Sequence, residues 1–118
     1  MHDNCTMYKT VDIISKKWSL LILLEINKSG NDLRFNRLKK SIPNITPKIL
    51  STRLKELQEQ DMIKRTVDTT SIPIGSHYSL TKSGKELIEI IQSIKDWSLK
   101  WKYPNKLCQS TDCKNCGL

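Results

Sequence analysis

Two prolines four residues apart constrain this chain more than anything else in it. Pro43 cannot donate to a helical hydrogen-bond ladder and pushes Ile42 out of helical backbone angles, so Ser41-Ile42-Pro43-Asn44 ends the helix before it. Pro47 has the opposite meaning. Behind Thr46, whose hydroxyl can cap, it takes the first helical position, where a missing N–H costs nothing. One helix therefore stops and another starts within a few residues, and the pair must turn sharply. The second helix carries Leu50, Leu54 and Leu57 at i, i+4, i+7, a single narrow apolar stripe. Lys48, Thr52, Arg53, Lys55 and Glu59 lie off that stripe and are left for solvent or a partner.

Other elements arrange themselves around this break. Val11, Ile13, Ile14, Trp18, the apolar run 20–24 and Ile26 predict one largely buried helix over residues 11–28, ended by residues 27–32 with Gly30 inside. Residues 33–34 predict a short extended piece, and Phe35 and Leu38 a two-turn helix. Residues 62–68 predict a strand with Ile63 and Val67 as its apolar positions, 69–76 a loop containing Pro73 and Gly75, and 77–80 a second strand. Thr81 can cap a last helix reaching Trp101, with Gly84 a weak point in helix propensity only, and Pro104 stops it. Two units follow: a domain over residues 1–104 and a polar tail, 105–118, holding three of the four cysteines.

Helix–turn–helix followed at once by a two-stranded hairpin is the winged-helix arrangement, a mainly α (α+β) fold with a long C-terminal helix. The leucine stripe holds the second helix of the pair, so its other side is free to enter a major groove, and the hairpin lies where it can touch phosphates. Charge agrees. Between Arg34 and Arg65 stand nine basic residues against three acidic ones, which concentrates in one segment most of the chain's net +8. A cluster of that kind favours a polyanion, nucleic acid first. No stretch reaches the roughly 18 uninterrupted apolar residues of a membrane span. Met1-His2-Asp3-Asn4-Cys5 lacks the basic-then-apolar layout of a signal peptide, so a cytoplasmic location and reduced cysteines are expected. There is no Ser/His/Asp arrangement, phosphate-binding glycine loop or catalytic carboxylate pair, so an enzyme is not expected.

Several ordered motifs are familiar. Lys17-Trp18-Ser19-Leu20-Leu21-Ile22-Leu23, Arg34-Phe35-Asn36-Arg37-Leu38, Leu50-Ser51-Thr52-Arg53-Leu54-Lys55-Glu56-Leu57 and Tyr78-Ser79-Leu80-Thr81-Lys82-Ser83-Gly84, with Trp97 in the closing helix, resemble the HxlR-type, MarR-like winged-helix transcriptional regulators over about residues 5–101. The resemblance implies a homodimer on double-stranded DNA at a pseudo-palindromic operator, with residues 46–60 as the recognition helix. Thr46, Lys48, Thr52 and Arg53 would then meet bases, Arg53 foremost because its guanidinium fork matches guanine O6 and N7; the alternative for Arg53 is a pair with Glu56 on its own helix. Arg34, Arg37, Ser51, Lys55 and Arg65 would meet phosphates. One departure stands out. The family carries a basic residue near the wing tip, where this chain has Ile74-Gly75-Ser76-His77, so the wing is expected to contribute mainly backbone contacts.

The closing helix carries apolar residues on more than one face: Leu87, Ile91, Ile94 and Trp101, but also Ile88, Ile90 and Trp97. One domain of this size covers one face, so Leu87, Ile91, Ile94, Trp97 and Trp101 are the candidates for burial by a second subunit. Cys5, thirteen positions before Trp18, resembles the cysteine that senses oxidants or electrophiles in some relatives, although Thr6 replaces the usual proline. Lys9 lies one helical turn on, and a nearby ammonium is the kind of group that makes a thiol reactive. In the tail, Cys108, Cys113 and Cys116 make a C-x4-C-x2-C spacing that suits zinc or an iron–sulfur cluster if Cys5 supplies a fourth ligand, and otherwise a set of redox thiols. Two other functions remain open on sequence grounds: a winged-helix module for protein–protein interaction, and a small iron–sulfur or redox carrier.

Overall fold

The protein was analysed as a computed structural model, which describes residues 3–30, 32–70 and 75–112. Its elements are α1 (Thr6–Ile14), α2 (Ser19–Lys28), β1 (Leu33–Arg34), α3 (Phe35–Ser41), α4 (Pro47–Glu59), β2 (Ile63–Asp68), β3 (Gly75–Leu80), α5 (Lys82–Trp101) and α6 (Lys106–Ser110). None of the described helices is long and apolar enough to cross a membrane.

Capping fixes where the central helices begin. Thr46 accepts a hydrogen bond from the Ile49 amide at 3.2 Å, and Pro47 follows at the first helical position, so α4 starts where the two prolines predict. Leu50, Leu54 and Leu57 then bury completely or nearly so against Ile22, Leu23, Ile26, Leu38 and Ile63. The end of α4 is less obvious. Asp61 adopts a positive φ of 58°, Met62 N–H bonds back to the Leu57 carbonyl at 3.0 Å and Asp61 N–H to the Gln58 carbonyl at 2.9 Å. This is a Schellman closure built on aspartate where glycine is usual, and it hands the chain straight into β2.

The sheet has three strands in the order β1-β3-β2, all antiparallel. The short piece at 33–34 is thus a true strand, pairing Leu33 with Tyr78 and Arg34 with His77, and the wing's first strand, β2, runs Ile63–Asp68 against Gly75–Leu80. β3 begins two residues before the expected second strand. Val67, predicted apolar and inward, is exposed, because only Ile63, Tyr78 and Leu80 reach the core and the outer half of the wing lies beyond it. Thr81 caps α5 by accepting from Gly84 N–H at 3.2 Å and donates to the Asp61 carbonyl at 2.6 Å.

Two expectations need correction. Residues 11–28 do not form one buried helix. The chain breaks at 15–18, α1 buries none of its residues, and Trp18 sits at φ +83°. The hydrogen-bonding partners that hold this break open come from α4, far along the chain, and local periodicity cannot register them. Gly84 is more than a weak spot in propensity: a Cβ there would collide with the Met62 carbonyl, so α5 crosses the α4–β2 joint closely only because this residue has no side chain. The polar tail also contains structure, since α6, capped by Asn105 through the Cys108 amide at 3.1 Å, packs on α5, and Lys95 Nζ donates to the Thr111 carbonyl at 2.9 Å.

Candidate nucleic-acid interface

α4 has two sides of opposite character. Its leucines anchor it; Lys48, Ser51, Thr52 and Lys55 stand exposed on the far side, with Thr46 at the exposed N-terminus. The Thr46 hydroxyl oxygen accepts the capping bond, which leaves its O–H able to donate, and the Thr52 hydroxyl donates to the Lys48 carbonyl at 2.9 Å, which leaves its oxygen able to accept. Ile49, partly exposed beside Lys48, adds an apolar surface of the kind that meets a thymine methyl.

Beside this face runs an open cleft of about 630 Å³, walled by α3, α4 and the wing. Arg34, Lys55 and Arg65 bring three cations to it from three elements, with Asn36, Ser51, Gln58 and Ser76 between them. Arg34 is held by Asp68, 3.4 Å away, and lies over Gly75, where even a Cβ would come within 2.9 Å of the guanidinium. Arg65 Nε donates to Ser76 Oγ at 2.9 Å. His77, in the middle strand, is tied to Asp32 by a 2.9 Å hydrogen bond from the Nδ1 side and so belongs to the wing's framework. Arg37 projects from the exposed side of α3. Asn36, Gln58 and Ser76 escaped the sequence reading because each is an isolated polar residue whose neighbours come from other elements.

Arg53, the first choice for guanine, is placed elsewhere. Its Nε donates to the Lys17 carbonyl at 3.0 Å and its Nη1 to Glu56 at 3.2 Å, and its side chain is only 23% exposed. Two of its three guanidinium nitrogens already donate within the chain, so Arg53 is not presented outward as Lys48 and Thr52 are.

The closing helix also sorts differently from expectation. Leu87 packs against the core and Ile91 is buried, so these two are covered within the monomer. The outward stripe is Ile90, Ile94, Trp97 and Trp101, at 57, 49, 56 and 65% exposure, spaced i, i+4, i+7, i+11. Met7, Tyr8 and Val11 of α1 are exposed as well.

Comparison with known proteins then settles the lineage. Residues 13–106 match the HxlR-like helix-turn-helix family. The chain belongs to the HxlR family. Among its relatives, the uncharacterized HTH-type transcriptional regulator YvaP of Bacillus subtilis is 37% identical over 84% of this chain and 89% of its own. The reduced form of the regulator YodB from B. subtilis superposes with a TM-score of 0.73 at 27% identity, over 86% of this chain and 98% of that one; YodB is also known quinone-bound and diamide-treated. The oxidized form of the redox regulator HypR superposes with a TM-score of 0.69 at 29% identity, over 84% of this chain and 99% of that one. This HxlR protein is accordingly an HTH-type transcriptional regulator with a winged-helix fold, and not an enzyme.

Its two described cysteines lie on different elements. Cys5 is the N-cap residue of α1, half-buried, its carbonyl accepting from Lys9 N–H at 3.1 Å. Cys108 is half-buried on α6. Among the described residues no three His, Cys, Asp or Glu side chains gather into a metal-holding group. Cys113 and Cys116 lie outside the described residues.

Proposed function

We propose that this HxlR-family protein is a homodimeric, sequence-specific DNA-binding regulator that offers one α4 per subunit to the major groove of a pseudo-palindromic operator and responds to oxidants or electrophiles through Cys5. One observation carries the DNA-binding part: α4 is anchored by three buried leucines and exposes Lys48, Ser51, Thr52 and Lys55 on the opposite side, beside a cleft that gathers Arg34, Lys55 and Arg65. Thr46, Lys48 and Thr52 are suited to base edges, and Ser51, Lys55, Arg34, Arg37 and Arg65 to phosphates, which position the protein without reading sequence. Neutralising about six phosphates makes affinity fall by orders of magnitude between low and moderate salt.

The second subunit is supported by the stripe Ile90, Ile94, Trp97 and Trp101, which water would otherwise cover, and by the exposed apolar residues of α1. A twofold operator requires a mate that holds the two recognition helices about 34 Å apart, one turn of duplex. The sensing part is supported by Cys5 at the start of α1 and by likeness to YodB, known reduced, diamide-treated and quinone-bound, and to the redox regulator HypR in its oxidized form. Residues 105–118 are then an appended tail, of which α6 packs on α5.

A duplex-binding selection at fixed salt, on reduced and diamide-treated protein, tests all of this. Enrichment of one inverted repeat, weaker or altered binding after diamide, and no diamide effect in Cys5→Ser are expected. Equal affinity for all duplexes would remove the sequence-specific reading, and a diamide effect that survives Cys5→Ser would remove Cys5 as the sensor.

A further inference from the structure

The turn at residues 15–18 is strained and is held from a distance. Trp18, a bulky residue, has φ +83° and ψ −20°, and Ser19 N–H bonds to the Lys16 carbonyl at 3.2 Å. These are the features of a type II turn with tryptophan at the place where glycine is favoured. Such a backbone costs about 1–2 kcal/mol in an L-residue and persists only where its surroundings demand it. Here the positive φ turns the Lys17–Trp18 peptide over, and its carbonyl receives Arg53 Nε at 3.0 Å. Arg53 Nη1 reaches Glu56 Oε1 at 3.2 Å, and Glu56 Oε2 is 3.4 Å from Lys16 Nζ. Two residues of α4 therefore grip two consecutive residues of the α1–α2 joint, with the Arg53–Glu56 pair as a cross-brace. Lys17 Nζ in turn lies 4.8 Å from the Trp18 ring centroid, and Trp18 packs on the core.

We propose that Arg53 is a positioning residue: with Glu56 and Lys16 it forms a strut that fixes the orientation of α4 against the α1–α2 joint, so that the base-reading face is set by the state of α1. This rests on the DNA-binding function proposed above and adds a route by which the N-terminal helix reaches the reading head. The strut lies between the two. α1 ends at Ile14, directly before the turn, and Lys48, Ser51, Thr52 and Lys55 emerge from the same helix that Arg53 and Glu56 tether. A leucine stripe alone holds α4 down but resists rotation about its own axis weakly. Directional, charge-assisted hydrogen bonds at one flank supply that restraint.

Arg53→Gln and Arg53→Lys, each checked for folding by circular dichroism, are compared with the wild type. The readouts are affinity for the selected operator and for unrelated duplex, the salt slope, base preference at every operator position, and amide hydrogen exchange in α4. A strut predicts that Arg53→Gln loses about tenfold or more in operator affinity. Unrelated-duplex affinity and salt slope stay unchanged, no single base position relaxes, and exchange in α4 speeds up. Arg53→Lys, which keeps the charge and loses the fork, falls between. Combining Arg53→Gln with Glu56→Gln should cost less than the sum of the two. Relaxed preference at one base position would make Arg53 a base reader, a salt slope reduced by about one would make it a phosphate contact, and either overturns the proposal. Wild-type affinity with unchanged exchange overturns it as well. If the wild type itself fails to prefer any duplex, the DNA-binding function falls; hydrogen exchange in α4 still decides the strut, faster exchange supporting it and unchanged exchange removing it.

Discussion

Gly84 shows how much of this fold depends on single atoms. It lies at the start of α5, and a Cβ would run into the Met62 carbonyl, backbone that cannot swing aside. Gly84→Ala should raise intrinsic helix propensity and still destabilise the protein by about 1–3 kcal/mol, the usual cost of overpacking a fixed contact. A thermal melt that moves down despite the better helix former checks this. Thr46 is the converse case. Its hydroxyl oxygen accepts from the Ile49 amide, and Thr46→Ala should cost about 1 kcal/mol and fray the N-terminus of α4, seen as faster amide exchange over its first turn. Arg65 is different again. It is exposed and, among the described residues, its side chain donates to Ser76 Oγ, so Arg65→Ala should leave the melt nearly unmoved and lower the salt slope of duplex binding by about one.

At the scale of elements, the sequence was most transparent where local chemistry and tertiary use coincide. α4 begins at Pro47 behind its threonine cap and buries the three leucines spaced for it, because a proline, a hydroxyl and a stripe each act within a turn of where they stand. α3 and the strand pair were legible for the same reason. What stayed hidden depended on partners far along the chain. The apolar run at 11–28 carries a helical period through residues 15–18, yet Arg53 and Glu56 open it there. The end of α4, expected at residue 60, falls at Glu59 with Gln60 as its cap, although the left-handed position beyond it is taken by aspartate and not by glycine. For Arg53 the sequence left two readings open, a fork on guanine or a pair with Glu56 on its own helix; the structure has the pair, together with a Lys17 carbonyl from another element that no local pattern announces. The exposed side of α4 leads to one further expectation. Lys48→Ala with Thr52→Ala should alter base preference in a selection, whereas Arg37→Ala should weaken all duplexes alike.

For the molecule as a whole, α5 is the organising part. Its inner side, with Gly84, Leu87, Ile88 and Ile91, closes the core under the wing, and its outer side carries a four-residue apolar stripe that no described part of the chain covers. Replacing Trp97 with glutamate should leave the monomer folded, since the side chain is exposed, and shift sedimentation from dimer to monomer. Operator affinity should fall steeply with it, while unrelated-duplex binding, which needs only charge, should change little. An unchanged sedimentation profile would place the subunit contact elsewhere.

The chain has three tryptophans, and two of them, Trp97 and Trp101, stand on that outer stripe while Trp18 packs on the core. Association of two copies would move two indoles per subunit from water into an apolar seam and leave the third where it was. Intrinsic emission should therefore shift to the blue as protein concentration rises through the association range, so the protein carries an unlabelled optical gauge of its own pairing.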